Sequence, residues 1–84
     1  MPLPTEPVSL NVEQIRDLCG KLAGLRHDVN NEMSKIAASL ELLRRRPESA
    51  ERVLPNLAEQ PRKVSDIVVR FSNELEAALR VTRP

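Results

Sequence analysis

This 84-residue chain holds one histidine, His27, and a carboxylate follows it directly. The run reads His27-Asp28-Val29-Asn30-Asn31. Imidazole titrates close to neutral pH and can serve as nucleophile or proton carrier. An adjacent carboxylate can hold the ring's tautomer or take its proton, which makes the other ring nitrogen nucleophilic. Asn31 lies one helical turn on, where its amide can orient a water or a phosphoryl oxygen. Nucleophile, proton acceptor and polar positioner therefore fall within about a turn and a half of helix.

The neighbours of His27 at helical spacing are all small: Gly20, Ala23, Gly24, Asn31, Ser34 and Ala38. Each glycine inside a helix costs about 1 kcal/mol relative to alanine, so something else favours them. Small residues let another backbone approach. One reading is a docking surface centred on a reactive imidazole. The plain alternative is a close helix–helix contact beside an ordinary exposed histidine.

The element that must carry these residues is visible in the apolar pattern. No proline interrupts the chain from Val12 to Arg44, and Ile15, Leu22, Val29, Ile36 and Leu43 recur every seven residues. Leu18 and Leu25 fill a second seam position, which Met33 and Leu40 continue one residue later. This is one amphipathic helix of about 50 Å over residues 11–45. Asn11 is its expected N-cap, with Ser9 the alternative, and Arg44–Arg46 suit its negative end. Measured from the seam, His27 points about 140–160° away, into solvent.

A second helix is expected over about 48–81, kinked near Pro55 and Pro61, because Leu57, Val64, Phe71 and Ala78 repeat every seven. Residues 1–10 hold three of the seven prolines and read as a flexible N-terminal arm. Nothing reads as a strand. The fold class is all-α, an antiparallel helical hairpin. Two helices cannot surround their own seam, and a rod of 50 Å does not fit a compact monomer of this length, whose radius of gyration would be near 12 Å. The expected remedy is a homodimeric four-helix bundle. In the hairpin His27 is level with about residues 65–70, near which Lys63 or Arg70 would stand.

Composition excludes several classes. Thirteen basic and twelve acidic residues leave a charge of +1, and Phe71 is the only aromatic. That suits no nucleic-acid binder, for which neither a basic patch nor a stacking platform exists. One cysteine forms no internal disulfide, and one histidine with one cysteine makes no structural zinc site. Two glycines make no phosphate cradle. No apolar run approaches a membrane span and no signal segment opens the chain, so a cytoplasmic protein without membrane association is expected. Cys19, beside the seam, is expected to be a buried small apolar residue.

The segment Leu25-Arg26-His27-Asp28-Val29-Asn30-Asn31, followed by Ile36, Leu40, Glu41, Leu42 and Leu43, resembles the H-box of sensor histidine kinases. More narrowly, it resembles their dimerisation and histidine-phosphotransfer domain, in the versions that read H-D-x-N-N. The likeness spans about residues 12–80, and its specific part lies in the first helix. It implies a dimeric four-helix bundle with His27 as phosphoacceptor. Asp28 would be the acid assisting attack, and Asn31 the position that orients water when a response regulator is dephosphorylated. It implies a response-regulator receiver domain as partner, with magnesium only in that partner or in a kinase domain and no cofactor on this chain.

Two departures stand out. Glu32 occupies the place where such motifs often have proline, and no ATP-binding domain follows within these 84 residues. No autonomous ATP-dependent kinase activity is therefore expected. The expected function is a phosphorelay module exchanging phosphate between His27 and a receiver aspartate, with a separate histidine kinase catalytic domain as a possible donor, or with the chain as part of a longer kinase. The rivals are a non-catalytic dimerisation or kinase-inhibitor-like hairpin and, third, a phosphatase-only module.

Overall fold

The computed structural model describes residues 4–79. Within them the chain is all-helical: α1 spans Val12–Arg45, a single 3-10 turn spans Pro47–Ser49, and α2 spans Ala50–Ala78. The first three residues of the expected arm, and the expected end of the second helix at 80–81, lie outside the described residues.

Local chemistry accounts for the element ends. Asn11 caps α1 through a reciprocal pair: its Oδ1 accepts from the Gln14 backbone N–H at 2.8 Å, and Gln14 Oε1 accepts from the Asn11 backbone N–H at 2.9 Å. At the other end Arg44 and Arg45 fold back on Glu41, at 2.6 and 3.0 Å. These guanidiniums hold the Glu41 carboxyl below its usual range, Arg44 most strongly, and Glu41 raises Arg44 in return. The turn closes when the Ser49 backbone and hydroxyl both donate to the Arg46 carbonyl, at 2.9 and 2.7 Å. Pro47 opens that turn, where its missing N–H costs nothing. Pro55 and Pro61 lie inside α2, which is assigned as one helix through both. Both rings are exposed, so neither displaces the packed face.

The helices run antiparallel. Residues 28–32 of α1 share a groove with 63–70 of α2, and residues 21–28 share one with 67–74. The hairpin measures 57 × 29 × 12 Å with a radius of gyration of 18.0 Å. A compact chain of this length would have one of about 12 Å. Its interior is correspondingly slight: among the described residues Val53 is the only buried hydrophobic side chain. Among them, too, no helix is long and apolar enough to cross a membrane.

The seam of α1 differs from the expected one. The sequence suggested a shift from Leu18 and Leu25 to Met33 and Leu40. The structure keeps the original seven-residue register instead, through Leu18, Leu25, Glu32 and Ser39. Glu32 is buried and Ser39 half-buried, while Met33 and Leu40 are about half exposed, at 51% and 53%. The position of α2 decides which stripe of α1 turns inward, and it lies over the stripe of Leu18, Leu25, Glu32 and Ser39, so the placement of the second helix prevails over side-chain polarity. The displaced apolar residues join Ile15 and Leu22 of α1 on an outer flank, and Leu54 and Val68 are exposed on α2.

Cys19 also differs. It is exposed, not buried. It lies about 100° around α1 from Leu18, beyond the reach of α2.

Candidate functional site

His27 sits mid-helix on α1, on the side away from α2, with its side chain 82% exposed. Neither end of the ring is enclosed. Its Nδ1 lies 3.3 Å from Oδ1 of Asp28, which is itself about half exposed. A carboxylate accepts only, so this pairing places the proton of the neutral ring on Nδ1 and leaves Nε2 with its lone pair facing solvent. Nε2 is the nucleophilic nitrogen in that state.

The strip around His27 is open. Gly20, Ala23, Gly24, Asn31, Ser34 and Ala38 are all exposed, and a Cβ added at Gly20 or Gly24 would meet nothing within 4 Å. The glycines therefore admit no element of the hairpin itself. The close helix–helix contact offered as the plain alternative is not made with α2.

Between this strip and α2 runs a polar groove of about 370 Å³. Asp28, Asn31 and Glu32 line it from α1, and Lys63, Asp66, Ile67 and Arg70 from α2. Asp28 and Arg70 also line the adjoining groove, with Lys21, Gly24 and Glu74. The level expected for Lys63 and Arg70 is the one at which they stand. Lys21 pairs with Asp17 at 3.1 Å, which raises its pKa, with Glu74 adding to the effect.

Glu32 is the groove residue that sequence reasoning missed. Its Oε1 accepts from Lys35 Nζ at 3.2 Å, while its Oε2 is buried without a partner, as is Oε1 of Gln60 on α2. The signal was there: Glu32 stands seven residues after Leu25, so a fixed register puts it inward. No group of three or more His, Cys, Asp or Glu among the described residues could hold a metal ion.

The far side of the hairpin is different in kind. Leu22, Leu25, Val29 and Val68 line an apolar groove of about 340 Å³, with Arg26 and Asn30 at its edge. The molecule thus has one polar flank, adjoining the histidine strip, and one apolar flank. No family model, no curated protein and no solved structure matches the chain.

Proposed function

We propose that this chain is a histidine phosphotransfer module, accepting a phosphoryl group on Nε2 of His27 and exchanging it with a receiver-domain aspartate. The observation that carries this reading is the His27–Asp28 pair: a solvent-facing Nε2 with Nδ1 held by a carboxylate. In the transfer, the Nε2 lone pair attacks phosphorus in line. The P–O bond to the aspartyl carboxylate breaks and the aspartate leaves with that electron pair. The positive charge that develops on the ring is offset by Asp28 at Nδ1. The open small-residue strip gives a partner domain a close approach to that nitrogen.

The apolar flank supports a second part of the reading, a homodimer. With Val53 the only buried hydrophobic side chain among the described residues, Ile15, Leu22, Met33 and Leu40 of α1, and Leu54 and Val68 of α2, are 44–53% exposed. A second copy laid on this flank would complete a four-helix bundle through a self-complementary contact and leave both histidine strips outward. A cytoplasmic setting fits the exchange with receiver domains.

The deciding experiment is incubation with a phosphorylated receiver domain, or with ATP and a separate histidine kinase catalytic domain. Wild type should label and His27→Ala should not. Equal labelling of the two, or labelling of neither, overturns the reading. The apolar flank also favours a second reading, a non-catalytic dimerisation or kinase-regulatory hairpin. Under that reading His27→Ala binds its partner as wild type does and no phosphoryl group is exchanged.

A further inference from the structure

The apolar flank is built as a seam. On α1, Val12, Cys19, Arg26, Met33 and Leu40 follow one another every seven residues, beside the heptad row that runs from Ile15 to Leu43. Alternating steps of three and four residues join the two rows, the spacing of a helix that packs along its length against a neighbour. All five residues of the first row are exposed, so that neighbour is not α2. On α2, Leu54, Pro61, Val68 and Leu75 repeat in the same way. The helices present these rows on one side, because Leu22, Arg26, Val29 and Val68 line the same groove. Arg26 is the only charged residue in any of the three rows.

A folded monomer of 9.5 kDa exposes about 5,000 Å². This chain exposes 6692 Å², roughly 1,600 Å² more. Each partner in a standard interface gives up about 800 Å², so the excess suffices for one with room to spare.

We infer that the second copy lies along this seam, and that Arg26 is the residue that keeps the pairing weak and reversible. The inference rests on the homodimer of the proposed function, and it adds the rows that meet and the residue that limits them. In a twofold contact the flank meets its own copy, and its rows hold no carboxylate. A guanidinium carried into such a contact sheds water without an ion pair in return. It must instead bend to the rim, its stem over apolar surface and its head in water. One polar residue at an inward heptad position restricts how helices pair and lowers the strength of the pairing.

Sedimentation equilibrium of the full chain gives the dimer dissociation constant. Arg26→Leu should lower it by about tenfold, since leucine completes the seam. Arg26→Gln, which drops the charge, should lower it by less. Arg26→Lys should keep the wild-type value. Arg70→Leu removes the same charge from the polar flank and adds the same apolar surface there, and it should change nothing.

An unchanged or larger constant in Arg26→Leu, with wild type paired, overturns the inference and leaves the homodimer standing. Equal tightening by Arg70→Leu also overturns it, because added apolar surface anywhere would then suffice. Should Arg26→Leu assemble beyond two copies, Arg26→Gln decides in the same way. One copy at every concentration, for wild type and Arg26→Leu alike, sinks the inference and the homodimer together. One copy for wild type with two for Arg26→Leu sinks the homodimer of the natural chain and keeps Arg26 as the residue that opposes it.

Discussion

Asp28 Oδ1 lies 3.3 Å from Nδ1 of His27, and through this contact two consecutive residues on a helix act as one unit. Consecutive helical residues point about 100° apart, so the contact forms only because both side chains are free to lean across open surface. It selects which ring nitrogen meets solvent, and so which nitrogen can react.

Asp28→Asn should keep the fold, because the side chain is exposed and asparagine is close to it in size. It should slow phosphoryl transfer to His27 by about 10²-fold, the lower end of what a general base contributes. The labelling rate from a phosphorylated receiver measures this. An unchanged rate would remove Asp28 from the chemistry.

Gly20→Ala and Gly24→Ala should each stabilise the chain by about 1 kcal/mol, since the added methyl meets nothing and helix propensity improves. For a domain of this size each kcal/mol moves Tm by roughly 4–8 °C. Thermal unfolding followed by circular dichroism gives the answer. Gly24→Glu should also fold but should block partner docking, which binding to a receiver domain would register. Lower stability on either alanine substitution would mean that the strip is already occupied.

Leu22→Asp or Val68→Asp, each on the apolar flank, should abolish self-association, whereas Ser34→Asp on the histidine strip should not. Sedimentation equilibrium distinguishes the cases. A wild-type chain that sediments at the mass of one copy would refute the dimer.

The Glu41 contribution depends on pH. Its carboxyl is lowered in the folded chain by Arg44 and then Arg45, so the stability it adds is complete above the ordinary glutamate value of about 4.3. That contribution declines as pH falls through the lowered value. Wild type should therefore exceed Glu41→Gln in helix stability at neutral pH, and the two should converge under acid. A gap that persists at low pH would mean the ion pairs are not its cause.

Much of this architecture is legible in the sequence, and the misses have a common cause. Heptad spacing and the proline-free stretch mark α1, Asn11 marks its start, and Pro47 marks the connection. The outward aspect of His27 follows from counting residues around a helix. What spacing alone misassigned was the choice between two adjoining apolar stripes. Met33 and Leu40 looked like interior residues because they are hydrophobic, yet α2 covers the stripe of Glu32 and Ser39. Cys19 was misplaced for the same reason. Sequence gives the angular width of an apolar surface, but only the position of the second helix divides that surface between interior and exterior. The groove around Lys63 and Arg70 was partly legible from hairpin register.

Among the described residues Val53 is the one hydrophobic side chain shielded from water, and this makes the protein's abundance part of its physics. If the proposed second copy covers the apolar flank, folding and pairing would become one mass-action equilibrium, and the melting point would rise as the chain accumulates and fall on dilution. A cell expressing little of it would hold mostly unpaired, protease-sensitive chains. The paired population would then rise with the square of the free chain's concentration.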